Sequence, residues 1–352
     1  MAQIHLIGNI MQELSRPSEQ PFVAYDFANM QPGEVTPPPS DLIQEPPAEK
    51  AAEILPAPRP TTVYPQVVFV PRSEGINMDG FAEEYDAYIE ETRQQMSFPH
   101  EKPATEREQA HIRQAHTGLT AVADELGVNI RDRLPTQNGY HFFDDRAAYI
   151  EDARAVTYEQ NIGINGMCTT ETGILWPRLE SCDTEQGLTH ETTHLVAAKQ
   201  IHLRRGEGDG EVIINMQEVN GYYDVGSQGF NEMVTEMIAY RALADVDDPA
   251  YTSYPVEVQI GDAAVRETAA YHGIEPREVE NLLIRGMLTG DREGIGLIDQ
   301  AIGIDRSDVL LHMPGHLSSE DGVRLAGALG LPRAAENIKA WQAGKRPAFF
   351  DW

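Results

Sequence analysis

Apolar residues recur at helical spacing from Phe81 through Tyr85, Tyr88 and Ile89, and again at Leu119, Val122 and Leu126, where Gly127 stands as a stop. Two short apolar runs follow, Tyr140-His141-Phe142-Phe143 and Gly173-Ile174-Leu175-Trp176, the second closed by Pro177. Both read as strands, with a helix around Asp145–Thr157 between them. Asp183-Thr184-Glu185-Gln186 reads as a helix start, an Asp N-cap with Gln three residues on. Leu188, Leu195, Val196 and Ala197 supply its apolar positions, and the pattern runs to about Arg205 with Gly206 as C-cap. The glycines at 206, 208 and 210 read as a flexible connection to a hairpin, since they carry neither the Lys of a phosphate loop nor dinucleotide-binding spacing. That hairpin is read in Val212–Val219 and Tyr222–Val225, which flank Asn220-Gly221. From Val256 the chain reads as successive helices, among them Val256–Tyr271, Pro276–Met287 and Gly322–Leu329.

This pattern predicts an α+β protein: a small α/β unit over residues 128–226, a helical region over 67–127 before it, and a mainly helical lobe over 227–352 after it. The segment 1–66 differs from the rest, because it holds twelve of the twenty-three prolines. Proline blocks helix interiors and central strands, so an extended or disordered tail is expected there, a spacer or a docking tail for a partner. At 352 residues and 41% apolar content the remainder can bury one large core or two smaller ones. A formal charge of −29 argues against nucleic acid and anionic membranes as partners, since both need basic patches. No run of eighteen apolar residues is present, and the first twenty residues do not read as a secretory signal, so a cytoplasmic location is the expectation.

The candidate chemistry lies in His190-Glu191-Thr192-Thr193-His194. On a helix, positions i and i+4 share a face, so His190 and His194 can bind one metal ion, with Glu191 beside them to take a proton from its water. HExxH is short enough to recur by accident, and the helix pattern around it is the first support. A catalytic zinc has three protein ligands and one open position. An extension to HExxHxxGxxH fails, because Ala197 and Gln200 stand where the Gly and the last His are needed. His202 would lie about 80° off the metal face of the same helix and reads as a surface residue. Downstream, Gly229-Phe230-Asn231-Glu232-Met233-Val234-Thr235-Glu236 carries two glutamates one turn apart. Like charges at that spacing repel slightly, so a nearby metal makes better sense of them than a solvated face.

HETTH followed by NExxTE resembles the zinc helices of the thermolysin-like gluzincins, HExxH zinc metallopeptidases. The resemblance covers residues 190–236. It implies a zincin-like unit carrying the active helix, one Zn2+ per chain held by His190, His194 and Glu232, and Glu236 behind a ligating histidine. Asn231 would help fix the start of its helix; the roles of Glu232 and Glu236 could also be exchanged. The implied activity is hydrolysis of a peptide or protein substrate, with Glu191 as general base and then acid. No Gly-x-Met-Glu-Asn exopeptidase motif is present, which favours an endopeptidase over an aminopeptidase. For the oxyanion, Tyr223 (with Tyr222 as its neighbour) and His272 are the candidates. In such enzymes extended substrate pairs with a strand beside the active helix, and the run ending at Trp176 is the candidate strand. The alternatives are a metal-binding regulatory module that cuts nothing, a zinc-free helical scaffold, and hydrolysis of a non-protein amide.

Two further features read as structural. Cys168 and Cys182 are small apolar residues, one disulfide in an oxidising compartment, or, for Cys182, a mask over the zinc. His312-Met313-Pro314-Gly315-His316 repeats the i,i+4 spacing, but Pro-Gly breaks a helix, so it reads as a turn between helices.

Overall fold

The computed structural model describes residues 66–70, 98–156, 166–169, 173–179, 184–207, 212–222, 228–243, 253–345 and 349–350. Along the chain run strand β1 (Gln66–Val70), helix α1 (Glu106–Glu125), β2 (Tyr140–Phe143), α2 (Arg146–Val156), β3 (Met167–Thr169), β4 (Gly173–Pro177) and α3 (Thr184–Val196). Then come β5 (Lys199–Glu207), β6 (Val212–Asn220), α4 (Gln228–Ala242), α5 (Pro255–His272), α6 (Pro276–Thr289), α7 (Glu293–Ile302), α8 (Ile304–Leu311), α9 (Ser319–Leu329) and α10 (Pro332–Gln342). The fold is α+β, two small three-stranded sheets and a large body of helices. Among the described residues no helix is long and apolar enough to cross a membrane.

Local chemistry explains where the elements begin and end. Thr105 caps α1 in a reciprocal box: its hydroxyl accepts from Glu108 N–H, and the Glu108 carboxylate accepts from Thr105 N–H at 2.6 Å. Prolines open α5, α6 and α10, where a missing N–H costs nothing. Gly273 and Gly290 close α5 and α6 in the left-handed region.

Helix α4 is the hub. Every residue from Gly229 to Ala239 is buried, the mark of a helix surrounded by protein on all sides. Leu119 and Val122 of α1, Phe230, Met233 and Met237 of α4, and Ile260 and Leu283 of the helices that follow share its main apolar core. A second core, Ile112, Tyr140, Ile174, Trp176, Leu188 and Leu195, seats α3 on the sheet ordered β2-β4-β3.

Four sequence expectations are corrected. The helix bearing HETTH stops at Val196, not near Arg205. Arg133 takes Val196 O at 2.7 Å and Ala198 N–H donates to Met287 O, so the backbone groups that would extend the helix are claimed from outside. His202, Arg204 and Arg205 therefore lie in β5. The hairpin joins β5 to β6 with register Lys199↔Asn220, so Asn220-Gly221 is the exit from β6 and not the hairpin loop; Gly221 turns there with φ +59° and donates to Ala198 O. Strand β4 is flanked by β2, parallel, and by β3, antiparallel, which leaves it no open edge. Finally, residues 66–70, at the start of the region expected to be helical, form a strand parallel to β5. The proline-rich segment before it and the helix read at Phe81–Ile89 lie outside the described residues.

Candidate metal centre

Helices α3 and α4 pack together, and their contact brings His190, His194 and Glu232 into one buried group. Gly187 permits the approach of α3 to the sheet: a Cβ there would stand 2.7 Å from Cζ3 and 2.8 Å from Cζ2 of Trp176. The hydroxyls inside the helix are all used. Thr189 and Thr193 donate to the carbonyls of Glu185 and Thr189, and Thr192 donates to Leu188 O while its oxygen accepts from Tyr140 OH at 3.0 Å. Since the Tyr140 proton is spent on Thr192, His116, 2.9 Å from Tyr140 OH, carries its hydrogen on Nε2.

The three candidate donors form a triangle. His190 Nε2 and His194 Nε2 are 3.1 Å apart, and Glu232 Oε2 lies 3.0 Å from the first and 3.1 Å from the second. Ligands at about 2.0–2.1 Å from a tetrahedral ion are about 3.3–3.4 Å apart, so the spacing fits a zinc-sized cation within a few tenths of an ångström. Protons alone do not close this triangle, because each ring nitrogen offers either one hydrogen or one lone pair in its plane. A cation draws all three lone pairs inward. The donor set, two imidazoles and one carboxylate, suits zinc and leaves a position for water.

The surroundings fix the ligands. His190 Nδ1 is 3.3 Å from Glu236 Oε1, and Glu236 Oε2 accepts from Gln186 Nε2 at 2.9 Å. A histidine that ligates through Nε2 must hold its hydrogen on Nδ1, and Glu236 is the acceptor placed for it. Glu232 is thus in the triangle and Glu236 behind it. Burial works against charge on His190, but Glu236 and Glu232 outweigh it and hold the imidazole well above its ordinary pKa. Burial likewise opposes the Glu232 carboxylate, and the two histidines overcome it, holding its pKa well below the ordinary value. Asn231 Oδ1 accepts from Tyr222 N–H at 2.9 Å, tying the exit of β6 to the start of α4; its Nδ2 is 3.5 Å from His194 Nδ1, too far for a good bond.

Glu191, next to His190, is only partly buried and lies at the rim. Cys168 of β3 lies near it: burial first, then the charge of the Glu191 carboxylate, push the Cys168 pKa well up. Cys168 is a free thiol, and Cys182 lies outside the described residues.

The oxyanion candidates fare differently. Tyr223 lies outside the described residues. Tyr222 is fully buried and donates to Leu283 O at 2.9 Å, a structural role. His272 is the last residue of α5, its Nε2 3.0 Å from Leu297 O. The first turn of α5 adjoins the triangle, so eighteen residues of helix place His272 about 25 Å from it. The structure does not bring His272 to the site.

Residues without a sequence motif stand there instead. Tyr254, just before α5, stacks on the His190 ring with centroids 5.7 Å apart and planes at 12°. His316 stacks on Tyr254 in turn, at 4.7 Å and 23°. Glu257, fully buried in the first turn of α5, accepts from Leu317 N–H at 2.7 Å. Burial raises its carboxyl to about 7; Glu232 and Glu236 add to the rise and the Leu317 bond opposes it. Only a tyrosine beside the helix-opening Pro255 was there to be noticed.

Compared with known proteins, the chain matches no protein-family model, no curated sequence and no solved structure.

Proposed function

We propose that the chain is a zinc-dependent peptide-bond hydrolase of the gluzincin type, with a zincin-like arrangement around α3. The observation that carries this reading is the buried triangle of His190, His194 and Glu232 with a partly exposed carboxylate, Glu191, at its rim. A zinc ion held there supplies Lewis acidity toward the scissile carbonyl and lowers the pKa of water toward neutrality. His190, His194 and Glu232 hold it, and Glu236, braced by Gln186, orients His190. A site that only stored metal would need no carboxylate beside it, whereas Glu191, next to His190, would take a proton from the attacking water and deliver it to the leaving nitrogen. Strand β3 is bonded to β4 on one side, and among the described residues nothing pairs with its other edge. Cys168 of that strand lies near Glu191, and an extended peptide paired along β3 would run past the base.

Glu191→Gln tests the reading, because it keeps the shape and removes the base. Turnover of an unfolded protein substrate falls at least a thousandfold, on the order expected for loss of general-base assistance, while bound zinc is unchanged. Activity near that of the parent contradicts the mechanism. Loss of activity in the parent itself, with zinc bound, turns the assignment toward a metal-binding module without turnover.

A further inference from the structure

The turn over Met313–Leu317 is fastened to two helices at the candidate metal centre. Gly229 N–H, one turn before Glu232 in α4, donates to Met313 O at 2.9 Å. The approach is so close that a Cβ on Gly229 would stand 2.7 Å from the Pro314 carbonyl carbon, and nearer still to its oxygen. At its other end, Leu317 N–H donates to Glu257 Oε1 in the first turn of α5, one turn from Tyr254. Glu257 is fully buried, and its second oxygen has no hydrogen-bond partner. Burying a carboxyl whose partners are backbone N–H groups, with one oxygen unpartnered, costs free energy.

Within the turn, His316 has φ +56° although Gly315 sits beside it, free to take that conformation. Histidine enters the left-handed region more readily than most side chains, and here its ring makes a contact there. The contact is visible: this exposed imidazole stacks on Tyr254, and Tyr254 lies parallel to the ligand His190 with an offset. The three rings form a column from solvent to the metal triangle, braced by α4 through Gly229 and by α5 through Glu257.

We infer that His316 is a positioning residue for the metal centre, fixing the plane of His190 through Tyr254, with the Met313–Leu317 turn and Glu257 as its mount. Glu236 lies 3.3 Å from the Nδ1 edge of His190 without closing a well-aligned hydrogen bond, and the stacked rings restrain the tilt that this edge contact leaves open. The inference rests on the metal reading above.

The test is zinc affinity of the full chain by competition with a chromophoric chelator, beside the visible spectrum of the cobalt-substituted protein. His316→Asn tolerates the left-handed backbone and lacks the ring; His316→Phe keeps a flat ring. Expected are a loss of about tenfold in affinity and an altered cobalt spectrum for Asn, with Phe within about twofold of the parent. Tyr254→Leu behaves as His316→Asn, which gives a second variant should His316→Asn fold poorly. Parent-like affinity and spectrum in both His316→Asn and Tyr254→Leu overturn the inference, as does a Phe variant no better than Asn. Those results leave the metal reading intact; a folded parent that takes up no zinc overturns both.

Discussion

Gly187 lies at the end of the first turn of α3, and replacing it with alanine sets two effects of opposite sign against each other. Helix propensity alone favours alanine over glycine by about 1 kcal/mol. The site disagrees. The new Cβ would meet the six-membered ring of Trp176 at 2.7 Å from Cζ3 and 2.8 Å from Cζ2, and closer to the atom between them. Ordinary contact needs about 3.5 Å or more, so ring and helix must part by about an ångström and a half. The ring cannot swing clear: Trp176 is 3% exposed, and a Cβ on Gly166 would also clash with it. Overpacking of a well-filled core costs about 1–3 kcal/mol, and a rigid ring places this case at the upper end. The net expectation for Gly187→Ala is a loss of about 2 kcal/mol in urea unfolding, the propensity gain already subtracted. Because Gly187 lies one turn before His190 and Glu191, zinc affinity falls with it. Adding Trp176→Phe removes the clashing ring, so the double variant recovers more than the two single changes predict by addition. A Gly187→Ala protein as stable as the parent, or more so, would refute the packing argument.

Arg133 donates to the carbonyls of Val196 and Leu288, and burial lowers its pKa to about 10; Arg133→Met strands both carbonyls and costs about 2–4 kcal/mol in denaturant unfolding. In zinc-free protein, the Glu257 carboxyl at about 7 binds its proton more tightly folded than unfolded. Its contribution is therefore present at pH 4 and lost as pH rises through 7, so Glu257→Gln matches the parent at pH 4 and exceeds it at pH 8 by up to about 3 kcal/mol in urea titrations. Zinc, by neutralising the charge of Glu232, reduces that difference only slightly, because burial is its main cause. Glu236→Ala leaves the Nδ1 hydrogen of His190 and the Gln186 amide facing nothing, and chelator competition then reads zinc affinity lowered about 10- to 100-fold.

The parts of the site readable from the chain were those whose geometry is local. His190 and His194, and again Glu232 and Glu236, meet across one helical turn, so spacing alone puts each pair on one face. The helix boundaries marked by Gly127, Pro255 and Pro276 follow from backbone chemistry of single residues in the same way. What escaped depends on groups far apart in sequence. The end of α3 at Val196 is set by Arg133 and Met287, and no propensity of Ala197 and Ala198 announces it. The pairing of β5 with β6 overrode a strong Asn-Gly signal, because nine residue pairs of ladder outweigh one turn preference. Tyr254, Glu257 and His316 join the site from a helix start and a turn, without motif or period, and His272 dropped out because α5 carries it away.

Zinc per chain, by elemental analysis of the purified protein beside Glu232→Ala and Glu191→Gln, bears most directly on the central claim. The account predicts about one zinc in the parent and in Glu191→Gln, and clear loss in Glu232→Ala, as three protein ligands require. A folded parent without zinc after supplementation, or a Glu232→Ala variant that keeps its full complement, would contradict it.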